Sequence, residues 1–433
     1  MLKREIYLSK IRGFYDSDLV KILVGIRRCG KSVILKQIIE EIKDREVQED
    51  HILYINFEFV EYEELKDYKK LNQYVKEKIQ DNKKYYVFLD EIQNVEKFEV
   101  VVNSLRASLE NISIFITGSN SKLLSNELST VLSGRYVLFN IYPLTFKEYI
   151  ELTGRDAKED SFWDYLKWGG LPNRVQFTDE ANIKEYLHSV FDSIILRDVV
   201  ERLGLKDTVL FNLILQYLID ITGREFSANN TINYLKSEGR KISTETLYTY
   251  LDALCKALII QKIYRYDVHG KAILKTLNKY YMTDLGIAQI KNNNFEINKS
   301  FAIENVIFNE LKARGYDVYV GKTNSGEIDF IATNRDEKIY FQVAYLLTDK
   351  KVEEREFGAF NEINDNYPKY VLSMDKTDFS RNGIMHKNII DWLMNTNWHL
   401  VPVLFCHFGN WCRFSFAILA FGTGSLLLFL TYT

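Results

Sequence analysis

Cysteine is scarce in this chain: four residues in 433, at positions 29, 255, 406 and 412, with no C-x-x-C pair and no paired Cys/His ligand spacing. That excludes a disulfide framework and a structural zinc site, and it fits a reducing compartment. No net field of one sign is present either. Lys and Arg number 56 against 59 Asp and Glu, for a formal charge of −3, so any nucleic-acid surface has to be local. The first ten residues, MLKREIYLSK, carry charge where a signal peptide needs an apolar core, so a cytoplasmic protein is expected. No repeat or low-complexity stretch occurs. What is there is ordinary globular composition, 46% hydrophobic and 27% charged, over a length that predicts roughly three domains.

From Lys21 to about Ile141, short apolar runs alternate with helix-period segments, the pattern of a parallel sheet covered on both faces. Strands are expected at Lys21–Val24, Ile52–Phe57, Tyr85–Leu89, Ile112–Thr117 and Tyr136–Ile141. Residues 1–145 are thus read as an α/β core. Residues 146–205 read as a small helical unit broken at Gly169-Gly170-Leu171-Pro172. In 206–290, three helices near Leu210–Thr222, Ser227–Lys236 and Ser243–Ala257 precede a hairpin around His269-Gly270, the layout of a winged helix-turn-helix. Residues 291–395 form a further α/β unit. From Phe414 to Thr433 no residue is charged. About 20 apolar residues span a bilayer, so the 396–433 tail has three readings: a membrane anchor, an extension foreign to the protein, or packed core.

The sharpest motif is Gly25-Ile26-Arg27-Arg28-Cys29-Gly30-Lys31-Ser32, which matches G-x-x-x-x-G-K-[ST] and sits between an apolar strand and a periodic helix. Such a loop turns successive N–H groups toward phosphate at the positive end of the helix. Gly25, Arg28, Gly30, Lys31, Ser32 and Val33 are therefore the expected nucleotide-binding residues. Lys31 would reach the β/γ-oxygens, and Ser32 would bind Mg²⁺. Val87-Phe88-Leu89-Asp90-Glu91 is an apolar strand ending in two carboxylates: Asp90 is expected to hold Mg²⁺, and Glu91 to polarise the attacking water. A polar strand end at Gly118-Ser119-Asn120-Ser121 would contact the water or the γ-phosphate. Arg135, before the fifth strand, would complete a neighbouring subunit's site in a homo-oligomer.

These residues, with Tyr142-Pro143-Leu144-Thr145-Phe146, Gly169-Gly170-Leu171-Pro172 and Glu327-Ile328-Asp329-Phe330, resemble the archaeal and bacterial AAA+ ATPases whose C-terminal domain of unknown function is similar to PD-(D/E)xK nucleases. The similarity covers about residues 1–395. It implies a P-loop core with strand order 5-1-4-3-2, a helical lid, Ser119 or Asn120 as first sensor, Arg135 as a finger, and a nucleotide-sensing G-x-P element at Gly170-Leu171-Pro172. The cofactors implied are ATP and Mg²⁺.

Between Lys206 and Ile290 there are 11 basic and 8 acidic residues, and the hairpin is the basic part. Lys262, Arg265, Lys271 and Lys275, near Tyr264, Tyr266 and Tyr280, would suit DNA phosphates, with Thr244, Thr246 and Tyr248 facing a groove. The competing reading is a protein-packing module. In the last unit Glu304 and Asp329 match the nuclease layout, but Gln342 and Ala344 stand where an acid and a lysine are needed. Binding without cleavage is expected there. The leading expectation is an Mg²⁺-dependent ATPase acting on DNA; the alternatives are a slow nucleotide switch that binds protein partners and, ranked lower, an active nuclease.

Overall fold

The computed structural model describes residues 2–119, 130–132, 134–201, 204, 207–291, 298–324, 326–335 and 337–395. Asn120 and the tail from 396 lie outside these residues. After helix α1 (Glu5–Ile11), five strands follow: β1 (Val20–Val24), β2 (Ile52–Asn56), β3 (Tyr85–Asp90), β4 (Ile112–Gly118) and β5 (Tyr136–Asn140). They form one parallel sheet in the order β2-β3-β4-β1-β5. Every residue of β1, β3 and β4 is buried, because helices α2 (Lys31–Lys43), α3 (Tyr68–Lys78) and α4 (Phe98–Ser108) connect and cover the strands. The order is the one implied by the resemblance. It places β1 between β4 and β5, so the strand ends at Gly25, Asn56, Asp90 and Gly118 open on one edge, where α/β sheets bind ligands.

The helical unit begins with α5 (Phe146–Thr153), whose Thr145 and Glu148 form a reciprocal capping box. Then come α6 (Glu159–Trp168), a short 3₁₀ turn at Pro172–Gln176, and α7 (Glu180–Ser193), which runs into a π-helical segment at Ile194–Glu201. Its core is aromatic: the Phe146 ring meets Phe162 and Tyr165 edge-on at 5.4 and 5.6 Å.

Helices α8 (Thr208–Asp220), α9 (Ala228–Ser237) and α10 (Thr244–Lys256) precede the hairpin β6 (Ile260–Asp267) and β7 (Ala272–Met282). After α11 (Leu285–Lys291) and α12 (Lys299–Arg314) come β8 (Asp317–Lys322), β9 (Glu327–Asn334), β10 (Glu337–Val343), α13 (Lys350–Gly358), β11 (Lys369–Ser373), β12 (Ile384–Asn388) and α14 (Ile389–Met394). The hairpin does not stand apart from this unit. Arg265–Asp267 of β6 pairs in parallel with Val320–Lys322 of β8, giving one seven-stranded sheet in the order β12-β11-β10-β9-β8-β6-β7. Pairing removes two open edges that each piece would otherwise present to solvent. At the other end of the chain, Lys10 of α1 donates to the Ala313 carbonyl at 2.7 Å, tying the N-terminal helix to α12.

Among the described residues no helix is long and apolar enough to cross a membrane.

Candidate nucleotide site

The loop after β1 is shaped by two glycines for different reasons. A Cβ on Gly25 would lie 2.2 Å from the Ile141 carbonyl oxygen and 2.7 Å from Cys29 Sγ, so only glycine lets the loop pack on the end of β5. Gly30 has φ of +102°, a left-handed conformation that turns the chain into α2. Arg28 is also left-handed at φ +64°. The first helical bond of α2 is from Ile34 to Gly30, so the N–H groups of Lys31, Ser32 and Val33 have no partner within the helix and point out of its positive end. Lys31 is buried; its Nζ donates to the Gly25 and Ile26 carbonyls at 3.1 and 3.4 Å and lies 3.8 Å from Glu91 Oε1. Ser32 and Val33 are half-buried.

At the end of β3, Asp90 is fully buried and richly held. Tyr54 OH and Asn56 Nδ2 donate to Oδ2 at 2.8 and 3.0 Å, and Thr117 donates to Oδ1. The same Thr117 oxygen accepts from the Glu91 N–H at 2.9 Å, so one hydroxyl orients both carboxylates. Glu91 sits at φ +57°, a conformation unusual outside glycine, and accepts from Gln93 Nε2. Asn56 is directly opposite Asp90 in the β2–β3 register. A polar residue closing an apolar strand was the only signal for it.

Ser119 is buried, and its hydroxyl reaches Asp198 Oδ1 at 3.4 Å, while Arg27 Nε reaches Asp198 Oδ2 at the same distance. Asp198 belongs to the π-helical segment. It therefore joins the phosphate loop to the end of β4 from the lid side, and nothing in the local sequence marks it. Arg135 is exposed on the loop before β5, and its carbonyl accepts from the Val20 N–H. Asn120 lies outside the described residues.

Two buried charges hold the helical unit. Arg4 donates to both Glu148 oxygens, to the Cys29 carbonyl at 2.9 Å and to the Tyr142 and Pro143 carbonyls. It thus links the phosphate loop to the first residues of the lid. Glycines at 169 and 170 are required by close approach: added Cβ atoms would lie 2.2 Å from Asp284 Oδ1 and 2.3 Å from the Leu144 carbonyl oxygen. Pro172 faces the loop, with its Cγ 3.8 Å from where a Cβ on Gly30 would be. Asp284 accepts from Gly170 N–H and Gly286 N–H, and burial pushes its carboxyl up to about 6 against those bonds.

A parallel sheet in this order with a phosphate loop after β1 and carboxylates after β3 defines a P-loop ATPase of the AAA+ class. An AAA domain model matches residues 17–150. An uncharacterized protein of Haemophilus influenzae is 39% identical over 402 residues, covering 91% of this chain and 99% of that protein. A second, from Methanocaldococcus jannaschii, is 32% identical over 356 residues, with 79% of this chain and 78% of that protein covered. The chain belongs to the family of these proteins. Among solved structures, the Walker-type ATPase of Pyrococcus abyssi aligns over 67% of this chain and 96% of its own at 17% identity and a TM-score of 0.48. Cdc6p from Pyrobaculum aerophilum aligns over 71% and 95% at 11% identity and 0.30. A domain of unknown function matches residues 159–296, over the lid, the three helices and the hairpin. That range stops before α12, so it does not bear on the nuclease resemblance expected of the unit that follows.

The hairpin also departs from expectation. Lys262 and Lys271 are exposed, but Arg265 is buried and paired with Glu225 at 2.8 Å, and Tyr280 is buried. The side chain of Lys275 is outside the described set. Residues 262 to 265 alternate exposed and buried, so Arg265 shares a face with Ile263. That alternation was readable in the sequence, where a count of basic residues does not separate the two faces.

Proposed function

We propose that the chain is an Mg²⁺-dependent ATP hydrolase that moves its lid with each nucleotide cycle and acts on DNA through the three-helix and hairpin segment. The observation that carries the reading is the meeting of two motifs distant in sequence: the Lys31 ammonium lies 3.8 Å from the Glu91 carboxylate. The donor set fits the ligands. N–H groups without a partner inside the helix at the start of α2 suit phosphate, and the Ser32 hydroxyl and Asp90 carboxylate are hard oxygen donors of the kind Mg²⁺ takes. The ion, when bound, neutralises charge on the phosphate oxygens. Lys31 exchanges its bonds to the Gly25 and Ile26 carbonyls for phosphate oxygens. Glu91, oriented through Thr117 and Gln93, orients the water and accepts its proton. Ser119 serves as the sensor, and Arg135 acts on a neighbouring copy's nucleotide.

Pro172 beside Gly30 supports a role for Gly170-Leu171-Pro172 in reading the loop. The Gly170–Asp284 bond then leads to the segment that follows the hairpin. On α10 and the hairpin, exposed Thr244, Tyr248, Lys262 and Lys271 support a winged-helix contact with DNA. The test is turnover with and without duplex DNA. Lys31→Ala should abolish ATP binding, and Glu91→Gln should keep binding while losing about 100-fold or more in kcat. Wild-type turnover in Glu91→Gln sinks the assignment. Slow turnover indifferent to DNA favours the switch that binds protein partners.

A further inference from the structure

Strand β7 sends a lysine into the acidic cluster of the C-terminal α/β unit. Lys279 is 4% exposed. Its ammonium pairs with Glu327 Oε1 and lies 3.6 Å from Glu304 Oε1, while Tyr281, two residues along the same strand, donates to Glu304. Asp329, on β9 with Glu327, accepts the Val343 N–H at 2.8 Å, and Gln342 accepts from the Asp329 N–H at 3.3 Å. Burial holds the Glu304 and Asp329 carboxyls above their usual range, and Lys279 opposes that rise in both. Burial also acts to lower the lysine, but Glu304, Glu327 and Asp329 outweigh it and keep the ammonium charged.

The nuclease resemblance implies a divalent metal at Glu304 and Asp329, and the residues do not fit one. Each carboxylate already has a partner, and among the described residues no group of three or more His, Cys, Asp or Glu side chains is arranged to hold a metal ion. A cation beside them favours the ionised form of these buried carboxylates, and Lys279 supplies one. We propose that Lys279 is the resident cation of this cluster: its ammonium stands where a metal-dependent nuclease carries its ion, so the unit takes up no divalent metal. The same contact fastens the hairpin to α12 and β9. This extends the reading that the unit does not cut DNA, and it is independent of ATP turnover.

The experiment uses full-length, nucleotide-free protein with Mn²⁺ as the probe, followed by the electron paramagnetic resonance of free Mn²⁺ and by thermal melting. Wild type and Glu304→Gln should give the same Mn²⁺ titration. Lys279→Met should melt several degrees lower, and Mn²⁺ should recover part of that loss, with no recovery in the Lys279→Met, Glu304→Gln double variant. Lys279→Arg keeps the charge and should melt without response to Mn²⁺. Wild-type Mn²⁺ binding that disappears in Glu304→Gln overturns the proposal, and so does a folded Lys279→Met protein indifferent to Mn²⁺. If Lys279→Met does not fold, the comparison of wild type with Glu304→Gln still decides.

Discussion

Gly170 donates its backbone N–H to the Asp284 carboxylate at 2.8 Å, across 114 positions of the chain. The donor belongs to the turn that carries Pro172 against the phosphate loop, and the acceptor follows β7 at the start of α11. One hydrogen bond thus joins the helical unit to the region proposed to meet DNA. If Pro172 shifts on nucleotide binding as proposed, this bond is the contact through which the segment after the hairpin would register it.

That bond has a pH signature. Burial raises the Asp284 carboxyl from 3.8 to about 6. Between those values the folded state binds more proton than the unfolded chain, so stability from this group falls as the pH rises and is lowest above about 6. Asn at this position does not titrate. Relative to Asp284→Asn, the wild type should therefore lose roughly 1 kcal/mol between pH 5 and pH 7, read by urea unfolding. A constant difference across that range would show that Asp284 does not titrate there.

Arg4 makes a second prediction, on stability. It is buried with Glu148 and satisfies three carbonyls, those of Cys29, Tyr142 and Pro143. Removing one partner of such a pair leaves an uncompensated buried charge, so Arg4→Ala should cost about 3–5 kcal/mol and weaken ATP binding by loosening the Cys29 carbonyl. Lys3 is the control: its own side chain is largely exposed and its partner Glu41 keeps Arg12 and Tyr15, so Lys3→Ala should cost under about 1 kcal/mol. Equal losses in the two variants, measured by urea unfolding, would contradict the role given to Arg4.

Much of the core was legible because its signals are local. An apolar run followed by Gly25 and Lys31, or by Asp90 and Glu91, marks a strand and its functional end within a few residues. The contacts that hold the lid are of another kind. Arg4 meets Glu148 across 144 positions, and Asp284, Asp198 and Lys279 are single polar residues without a motif; their partners are set by packing. The sharing of one sheet by the hairpin and the C-terminal unit was hidden for the same reason, since parallel pairing of β6 with β8 leaves no turn between them in sequence.

Arg135 tests assembly. Its side chain is exposed on a loop beside β5, as an arginine that reaches another copy's nucleotide has to be. Arg135→Ala should leave ATP binding intact and slow turnover, and mixing it with Glu91→Gln should recover part of the rate, because mixed assemblies contain sites with both groups intact. No recovery from two variants that oligomerise normally would place the arginine's action within its own subunit or remove it from catalysis.

The hairpin separates two roles for its basic residues. Lys262 and Lys271 are exposed, whereas Arg265 is buried against Glu225. If the exposed pair contacts DNA phosphates, Lys262→Ala and Lys271→Ala should each weaken binding about equally on all sequences and reduce the slope of log K against log salt by roughly 1, with melting unchanged. Arg265→Ala should do the opposite. It empties a buried site while Glu225 is exposed and stays solvated, so melting should fall through lost packing, and the salt slope of the protein that remains folded stays at the wild-type value. Retention of the full slope in the Lys262→Ala, Lys271→Ala double variant would remove the hairpin from the DNA interface and leave α10, with Thr244 and Tyr248, as the surface to probe.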